Sequence, residues 1–523
     1  MGRKEYHFSL FDAAVVAVAL SFFAIATFVY QPFLSDDALI SLRYAERFAS
    51  GSGLTWNDGY YVEGYSNLAW VLGLSALIKV GIEPVIALRL FSFTVSLVAL
   101  LLFLGVALKR NRGITLGYAL ILSTASIHVV PVWTLGGLEQ PLLLLGLLVS
   151  GFLIIRWWET GQEKNHLILF SSAALGVVVL TRPDSPLFVA AYALIPLLAQ
   201  ADIASKVRST FLLVGIPIAC FGFQLAFRMH YYGDVVPNTA HVKMSGSVNH
   251  ALDGLNYTIT GLALVLPAIF AALFGYQLSS LRRRRLIGAF LSGIVIWCCY
   301  ISFIGGDIFP GFRHLTPVIA LSMVALIAGL GSSNLLELSR TQLSPKAPVS
   351  FLIVLVFCTS YFSAQFLAPD YRATKHEAWV WQCRDLAADL KDRFGAEHPL
   401  LAVTAAGCLP FWTEFETVDL LGLNDLELPK RKPREFGSGM IGHELRNVDY
   451  LLEREPDIVV IHIGTGTPDF LSGFLDGDER FNAAYCEMII ELDDKTTRLV
   501  FLSRGFAART GNKTNCRFVA MGS

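Results

Sequence analysis

Long apolar runs separated by short polar loops dominate the first 369 residues, and sequence of mixed polarity follows them. A helix that crosses a bilayer needs about 20 mostly apolar residues. Besides eleven longer runs, the chain has a shorter one, Leu68–Val80, of only about a dozen residues, which is typical of an interfacial or re-entrant segment. The pattern predicts about eleven spanning helices, at Leu10–Tyr30, Ala87–Leu108, Thr115–Val132, Pro141–Ile155, Leu167–Thr181, Ser185–Leu198, Thr210–Phe227, Leu255–Tyr276, Leu286–Phe303, Leu315–Leu330 and Val349–Phe366.

The charged residues divide the chain into two parts. The segment Asp370–Ser523 holds 18 Lys and Arg and 25 Asp and Glu, which is 43 of the 83 charges of the chain. We therefore predict a membrane domain over residues 1–369 and a water-soluble domain of ordinary size over residues 370–523.

The composition excludes several classes of protein. Hydrophobic residues make up 54% of the chain and charged residues 16%, whereas an ordinary soluble domain carries about 25% charged residues. A soluble globular enzyme and a disordered chain are ruled out. The net charge of -1 gives no basic surface for nucleic acid, so the lipid bilayer is an expected partner and nucleic acid is not.

The Lys and Arg residues of the loops predict the orientation, because cytoplasmic loops carry an excess of positive charge. With a cytoplasmic N terminus and a non-crossing Leu68–Val80, 15 of these residues fall inside and 6 outside. The bias reverses if Leu68–Val80 crosses, so we expect residues 370–523 outside the cytoplasm. Leu10–Tyr30 is longer than a usual signal-peptide core and lacks Ala-x-Ala at its end, so we expect it to remain as a span.

The soluble part is predicted to be an α/β domain. Leu400–Ala406, Asp457–His462 and Leu499–Arg504 are short apolar runs typical of buried strands. His376–Phe394 and His443–Arg454 have helical patterns. The sequence therefore predicts strands and helices in alternation.

Half of the eight cysteines fall in this soluble part. In an oxidising compartment four cysteines can form two disulfides, with three alternative pairings. Free thiols are the alternative interpretation. None has the CxxC spacing, so no metal or redox site is expected. These residues are Cys383, Cys408, Cys486 and Cys516.

Polar and ionisable residues gather in five loops that the predicted orientation places on one face. Such residues at a membrane edge are energetically expensive and usually functional. The inner loops are short and basic and lack this mixture. The convergence predicts one extracytoplasmic site, built from Ser35–Asn67, Thr134–Pro141, Thr181–Asp184, His230–Lys243 and Gly305–Leu315.

Two adjacent carboxylates open the first of these loops. Asp36 and Asp37 follow Ser35, which can cap a helix, and the helix dipole favours carboxylates in a first turn. An apolar residue at every fourth position from Ile40 to Phe48 predicts a helix that lies on the membrane. The alternative to a functional role is that the Asp pair only caps this helix.

Cations stand at the same predicted membrane edge. Arg182 and Arg313, the latter followed by His314, can bind phosphate, since a guanidinium makes bidentate contacts to it. Anchoring of lipid headgroups is the alternative role. Glu139, next to a Leu-rich span, is a further candidate, and helix capping is its alternative role.

Seven motifs follow one another along nearly the whole chain: SDDALISLRYAERFASGSGLTWNDGYYVEGYSNLAW, GLEQPL, LTRPDSPLF, YYGDVVPNTAHVK, GGDIFPGFRHLTPV, DLLGLND and GHELRNVDYLLEREPDIVV. This ordered set resembles bacterial GT-C-type membrane glycosyltransferases, in particular the group of the mycobacterial terminal arabinofuranosyltransferase AftB. The chain departs from the family pattern at Leu39, where an aromatic residue is frequent, and at Leu68, where proline is frequent.

The resemblance implies an α-helical polytopic GT-C-like protein with a C-terminal extracytoplasmic α/β domain that binds acceptor. It implies inverting transfer of arabinofuranose or a related pentose from a polyprenyl-phosphate donor to a cell-envelope glycan or glycoprotein. The reaction would take place at the outer face of a bacterial inner membrane. No cofactor is implied, and the use of a divalent metal is left open.

Within this interpretation Asp36 is the general base, and Asp37 orients it or binds the donor. Arg313 and His314 hold the donor phosphate, with Arg182 as a second cation. The full set of candidate donor-phosphate and substrate residues is Arg43, Glu63, Tyr65, Asn67, Glu139, Arg182, Asp184, Asn238, Lys243, Asp307, Arg313 and His314.

Other functions use the same outward-facing polar site. A transporter or flippase of a lipid-linked sugar would bind there without chemistry, a protein (pilin) glycosyltransferase would use another acceptor, and a membrane scaffold would do neither. Transporters commonly contain internal repeats, and this sequence shows none, which favours the transferase.

Overall fold

The structure is a computed structural model that describes residues 7–111, 114–244, 246–330, 347–463, 475, 477–492 and 495–512. In its described residues, the membrane part of the chain consists of helices joined by loops. Its helices are α1 Leu10–Val29, α2 Asp36–Ser50, α3 Leu68–Lys79, α4 Pro84–Asn111, α5 Thr115–Ala125, α6 Val129–Gly136, α7 Gln140–Glu159, α8 Asn165–Thr181, α9 Pro186–Leu198, α10 Ile203–Tyr231, α11 Asn238–Lys243, α12 Val248–Gln277, α13 Leu281–Phe303, α14 Thr316–Leu330 and α15 Ala347–Gln365.

Nine helical segments of the described residues are long and apolar enough to cross a membrane. α5 and α6 together form one of them, Thr115–Gly136. Two other predicted spans are the shorter apolar helices α8 and α9, of 17 and 13 residues. All eleven predicted runs are therefore helical, and α3, with 12 residues, is as short as the sequence predicted.

Helix α14 lies at the centre of the helical part, because all of its residues are buried. A helix that is apolar on every side is stable only when other helices surround it. Small residues allow one neighbour to come very close: a Cβ atom on Gly329 would lie 2.4 Å from the Cα atom of Gly275 in α12. This backbone contact is typical of membrane helix packing.

Helix α2 differs from its predicted setting in two ways. Ser35 does not cap it, since the Ser35 hydroxyl donates to the Gly136 carbonyl at 2.7 Å. The predicted membrane-facing stripe lies largely inside the protein, because Ile40 and Tyr44 are buried and only Phe48 is exposed. α2 is therefore packed between the helical part and the soluble part.

The soluble part contains a five-stranded sheet of order β2-β1-β3-β5-β4. β1 is parallel to β2 and β3, and β5 is antiparallel to β3 and β4. All residues of β1, β2 and β3 are buried, as expected for strands covered on both faces. The strands are β1 Leu401–Val403, β2 Thr417–Asp419, β3 Ile458–Val460, β4 Tyr485–Glu491 and β5 Thr497–Ser503.

The soluble part also contains six described helices. The three predicted strands are confirmed as β1, β3 and β5, whereas β2 and β4 were missed. The predicted helix His376–Phe394 is interrupted near Glu377, and the predicted helix His443–Arg454 is wrong in its first turn, since Asn447 caps a helix that begins at Val448. The helices are α16 Pro369–His376, α17 Trp379–Phe394, α18 Cys408–Thr413, α19 Val448–Arg454, α20 Glu479–Ala484 and α21 Arg504–Arg509.

One disulfide joins two of these helices. Cys383 of α17 is bonded to Cys408, the first residue of α18. The pair belongs to one of the three pairings that the sequence left open. Cys486 lies in β4, and Cys516 lies outside the described residues.

Candidate active site

A cavity of about 480 Å³ lies where the five polar loops meet. Each of the five loops contributes residues to its wall, and Leu423 and Ile441 of the soluble part complete it. Ten of the fourteen candidate residues line this cavity. They are Asp37, Tyr65, Asn67, Glu139, Arg182, Asp184, Lys243, Asp307, Arg313 and His314.

Asp37 and Lys243 face each other across one side of the cavity. Asp37 Oδ2 and Lys243 Nζ are 3.6 Å apart, and both side chains are about a quarter exposed. α2 presents Asp37, Ile40 and Ser41 to the cavity, the spacing of one helical face. Lys243 comes from the end of the short helix α11, so two separate elements create the pair.

Asp36 points away from the cavity. Its two oxygens accept the backbone N–H groups of Gly407 at 2.8 Å and Cys408 at 2.7 Å. Burial raises the pKa of Asp36 to about 7, against the lowering effect of the two N–H donors, and the neighbouring Asp37 carboxylate raises it further. Asp36 therefore has both oxygens engaged by the soluble part, whereas Asp37 lines the cavity.

Arg182 is enclosed by carboxylates. It donates to both oxygens of Asp184, at 2.9 and 2.7 Å, and to Glu139 at 2.7 Å. Asn67 and Gln140 also donate to Glu139, at 3.0 and 3.1 Å. Arg182 therefore has its donors engaged by two carboxylates, and the group forms part of the cavity wall.

Arg313 is buried and is paired with one carboxylate, that of Asp307. Its Nη2 donates to Asp307 at 2.8 Å, and its Nε is 2.7 Å from the same carboxylate. The guanidinium lies over Trp133 and Phe309, at 5.5 and 5.0 Å from the ring centroids. His314 is buried beside it, and its Nδ1 makes no hydrogen bond within the described residues.

The described lining carries more negative than positive charge. Arg182 and Arg313 each have a carboxylate within 2.7 Å, whereas Lys243 is 3.6 Å from its carboxylate. Lys243 is thus the cation most available to an added anion. The charged groups are Arg182, Arg313 and Lys243 against Asp37, Glu139, Asp184 and Asp307.

The remaining candidates attach the soluble part to the helical part. Arg43 lies over Trp56 at 4.7 Å and donates to the carbonyl groups of Pro410 and, at 3.0 Å, Phe415. Asn238 donates to the carbonyl of Leu423 at 2.9 Å and to two neighbouring carbonyls of the same loop. Neither residue lines the cavity.

Glu63 is the fourth candidate that does not line the cavity. It forms a buried ion pair with Arg228 at 2.6 Å. Burial raises the pKa of Glu63 to about 7, although Arg228 acts in the opposite direction. The pair fixes the first loop against α10.

Several lining residues were missed by the sequence reasoning. Ser66 lies between two candidates, and Thr239 follows Asn238. Both were passed over because serine and threonine are common in loops and do not by themselves indicate a site. Tyr300 lies in a predicted span, where a polar ring one turn before the GGD motif was the only signal. No group of three or more His, Cys, Asp or Glu suited to a metal is present in the part of the chain that the structure describes.

Comparisons with known sequences match one protein family and two individual proteins. The family described as domain of unknown function DUF8728 matches residues 372–509. Terminal β-(1→2)-arabinofuranosyltransferase of Corynebacterium glutamicum is 23% identical over 440 residues, 77% of this chain and 62% of that protein. The protein of the same name from Mycobacterium tuberculosis is 29% identical over 268 residues, 48% of this chain and 42% of that protein. The chain thus spans less than two thirds of the length of either relative.

Solved structures share the fold over nearly the whole chain. The crystal structure of ArnT from Cupriavidus metallidurans bound to undecaprenyl phosphate matches with a TM-score of 0.55 and 14% identity, covering 94% of this chain and 97% of ArnT. Its apo state matches with a TM-score of 0.54 and 15% identity. The predicted polytopic helical fold with a C-terminal α/β part is therefore confirmed, and the chain is a multi-pass membrane protein that resembles the two arabinofuranosyltransferases in sequence and ArnT in fold.

Proposed function

We propose that this protein transfers a sugar from a polyprenyl-phosphate donor to a hydroxyl group of a cell-envelope glycan, at the extracytoplasmic face of a bacterial inner membrane. Asp37 is the general base, and Lys243 binds the donor phosphate. The observation that carries the proposal is the pair of Asp37 and Lys243, 3.6 Å apart in a cavity. The names of the two relatives support arabinofuranose as the sugar.

The pair supplies the two functions that the reaction needs. The acceptor hydroxyl loses its proton to Asp37 as its oxygen attacks the anomeric carbon. The bond between that carbon and the phosphate oxygen breaks, and the phosphate leaves with the bonding electrons. Lys243, with Arg313 on the wall of the same cavity, stabilises the charge that develops there. A phosphate leaves without protonation, so no second carboxyl group is required as an acid, in contrast to glycoside hydrolysis.

This assignment moves the role of base from Asp36 to Asp37. Asp36 has both oxygens bound to backbone N–H groups of the soluble part. A base must reach the proton that it removes, and Asp37 lines the cavity whereas Asp36 does not.

The cavity also has an apolar border next to Lys243. Val236, Met244 and Ile304 line it, and Val236 and Met244 are exposed large apolar residues. A prenyl chain enters along such a border while its phosphate reaches Lys243. The undecaprenyl phosphate of the ArnT structure supports a lipid phosphate as the ligand class.

The soluble part, over residues 370–523, contributes Leu423 and Ile441 to the wall of the cavity. We assign acceptor binding to this domain for that reason. The cavity volume of about 480 Å³ leaves room for a donor sugar and an acceptor residue together.

The test uses purified protein in nanodiscs with polyprenyl-phosphate arabinofuranose and a synthetic arabinofuranoside acceptor. We expect an acceptor one pentose heavier by mass spectrometry, and NMR then reports whether the anomeric carbon is inverted, as a single displacement requires. Donor binding without product, together with movement of the lipid across proteoliposomes, would support a flippase instead. Glycan analysis of a deletion strain identifies the natural acceptor.

A further inference from the structure

Helix α2 carries two faces with different partners. Asp37, Ile40 and Ser41 face the cavity. Asp36 and Arg43, seven residues apart and so on one face, are bound instead to backbone groups of the soluble part. The position of Asp37 in the cavity is consequently set by contacts on the other side of its helix.

The contact at Asp36 is closely fitted. A Cβ atom on Gly407 would lie 1.9 Å from the backbone oxygen of Asp36 and 2.7 Å from its Cγ. Only glycine allows the Gly407 N–H to approach the carboxylate this closely. Asp36 is buried, so the carboxylate depends on these two backbone donors in place of water.

The donors are in turn fixed by a covalent bond. Cys408 supplies one of the two N–H groups and is disulfide-bonded to Cys383 of α17. α18 has only six residues, too few to hold its own position by helix formation. The disulfide therefore ties α18 to α17, and the Gly407 and Cys408 N–H groups at its start bind the start of α2.

We propose that the Cys383–Cys408 disulfide, Gly407 and Asp36 form a positioning clamp that sets Asp37 at its working distance from Lys243. The clamp rests on the proposed function, because it gives Asp37 the role of base. Asp36, Gly407 and Cys408 are positioning residues and do not touch substrate. A base displaced by about 1 Å loses up to about 100-fold in rate, so the clamp controls turnover more than donor binding.

A double-mutant cycle on the full-length protein tests the clamp. Cys383→Ala/Cys408→Ala and Asp36→Asn should each lower kcat about tenfold and leave the donor KM nearly unchanged. Because both changes break the same connection, the combined variant should be no slower than Asp36→Asn alone. Effects that multiply would mean that the disulfide only stabilises the soluble domain, and the clamp would be rejected.

Asp457→Asn is the matched control for this cycle. Asp457 also accepts a backbone N–H, that of Leu400 at 3.1 Å, but it lies within the soluble part. Its effect should multiply with that of Asp36→Asn, since the two sites share no partner. Gly407→Ala is a second variant of the clamp and should reproduce the loss of kcat with both cysteines in place.

Hydrogen exchange separates failure of the clamp from failure of the proposed function. Amides in the first two turns of α2 should exchange at least about fivefold faster in Cys383→Ala/Cys408→Ala than in wild type, since they lose their anchor. Unchanged exchange rejects the clamp even in an active enzyme. Faster exchange in the disulfide variant, together with a wild type that transfers no sugar, would reject the role of Asp37 as base and leave only the mechanical connection.

Discussion

Asp36 and Asp37 are adjacent in α2, but their carboxylates have different partners: Asp36 binds two backbone N–H groups of the soluble part, and Asp37 lies 3.6 Å from Lys243 in the cavity. The separation follows from the two backbone N–H groups of Gly407 and Cys408, which engage both oxygens of Asp36 outside the cavity lining. One residue is thus available for chemistry and the other for attachment.

Asp37→Asn should abolish most turnover while the protein still folds. The amide cannot accept the acceptor proton, so kcat should fall by about 10²–10⁴-fold, with binding of polyprenyl phosphate retained. Asp36→Asn should lose less, and Glu46→Gln in the same helix should remain active. Near wild-type transfer by purified Asp37→Asn would exclude it as the base, and a larger loss in Asp36→Asn would return that role to Asp36.

Lys243→Met should weaken donor binding. A charge-assisted contact contributes about 1.5–3 kcal/mol, so the donor KM should rise by about 10–100-fold, and Lys243→Arg should recover part of the loss. Lys430→Met is the control, because Lys430 is exposed and pairs only with Glu427 within the described residues. Inhibition by added polyprenyl phosphate measures the affinity directly, and an unchanged inhibition constant in Lys243→Met would contradict this assignment.

Arg182→Ala should affect stability before it affects donor binding. The change leaves Glu139 and Asp184 without their cation in a buried site, and breaking such a pair costs about 3–5 kcal/mol. We expect a lower unfolding temperature and poor recovery from detergent. A variant of normal stability with weak donor binding would instead make Arg182 a phosphate ligand, as the sequence predicted.

The pH dependence of stability should change in Asp36→Asn. The pKa of Asp36 is raised to about 7 in the folded protein, from an ordinary value of about 4. The stability linked to its proton is therefore complete below pH about 4 and is lost as the pH rises through about 7. The unfolding temperature of wild type should fall relative to that of Asp36→Asn between pH 5 and 8, by at most about 4 °C.

The comparison uses the difference between the two proteins at each pH, so Glu63, whose pKa is also raised to about 7, contributes equally to both. Asp36→Asn also loses one hydrogen bond, but that loss is independent of pH. A constant difference from pH 5 to 8 would show that Asp36 does not titrate in this range.

The fold was largely predictable from the sequence because apolar runs and their lengths are local properties. The short length of α3 and the strands β1, β3 and β5 were evident from the lengths of the apolar runs. β2 has only three residues, Thr417–Asp419, and no apolar run in the sequence indicates it. It forms a strand because it pairs with β1 in the folded protein.

The site was predictable as a set of loops but not as a set of roles. Charged motifs on one predicted face indicated where Arg182, Lys243 and Arg313 would meet. The sequence does not show which carboxylate each cation contacts, since Glu139 and Arg182 are 43 residues apart. It also does not show that Asp36 binds residues more than 370 positions away.

The orientation in the membrane is the last prediction, because the proposed donor and acceptor both depend on it. Loops of irregular backbone, such as residues 305–315, cannot face lipid and must border protein or water. The cavity that they form is expected on the side where the loops carry 6 Lys and Arg against 15 on the other side, since the cytoplasmic side holds the excess. Alkaline phosphatase fused after Phe366 should be active, and fused after Arg285 it should be inactive. The control is a fusion of β-galactosidase at the same two positions, which should give the opposite pattern. Active phosphatase after Arg285 and inactive enzyme after Phe366 would place Asp37 and the soluble domain in the cytoplasm, and transfer to an extracytoplasmic glycan would be excluded.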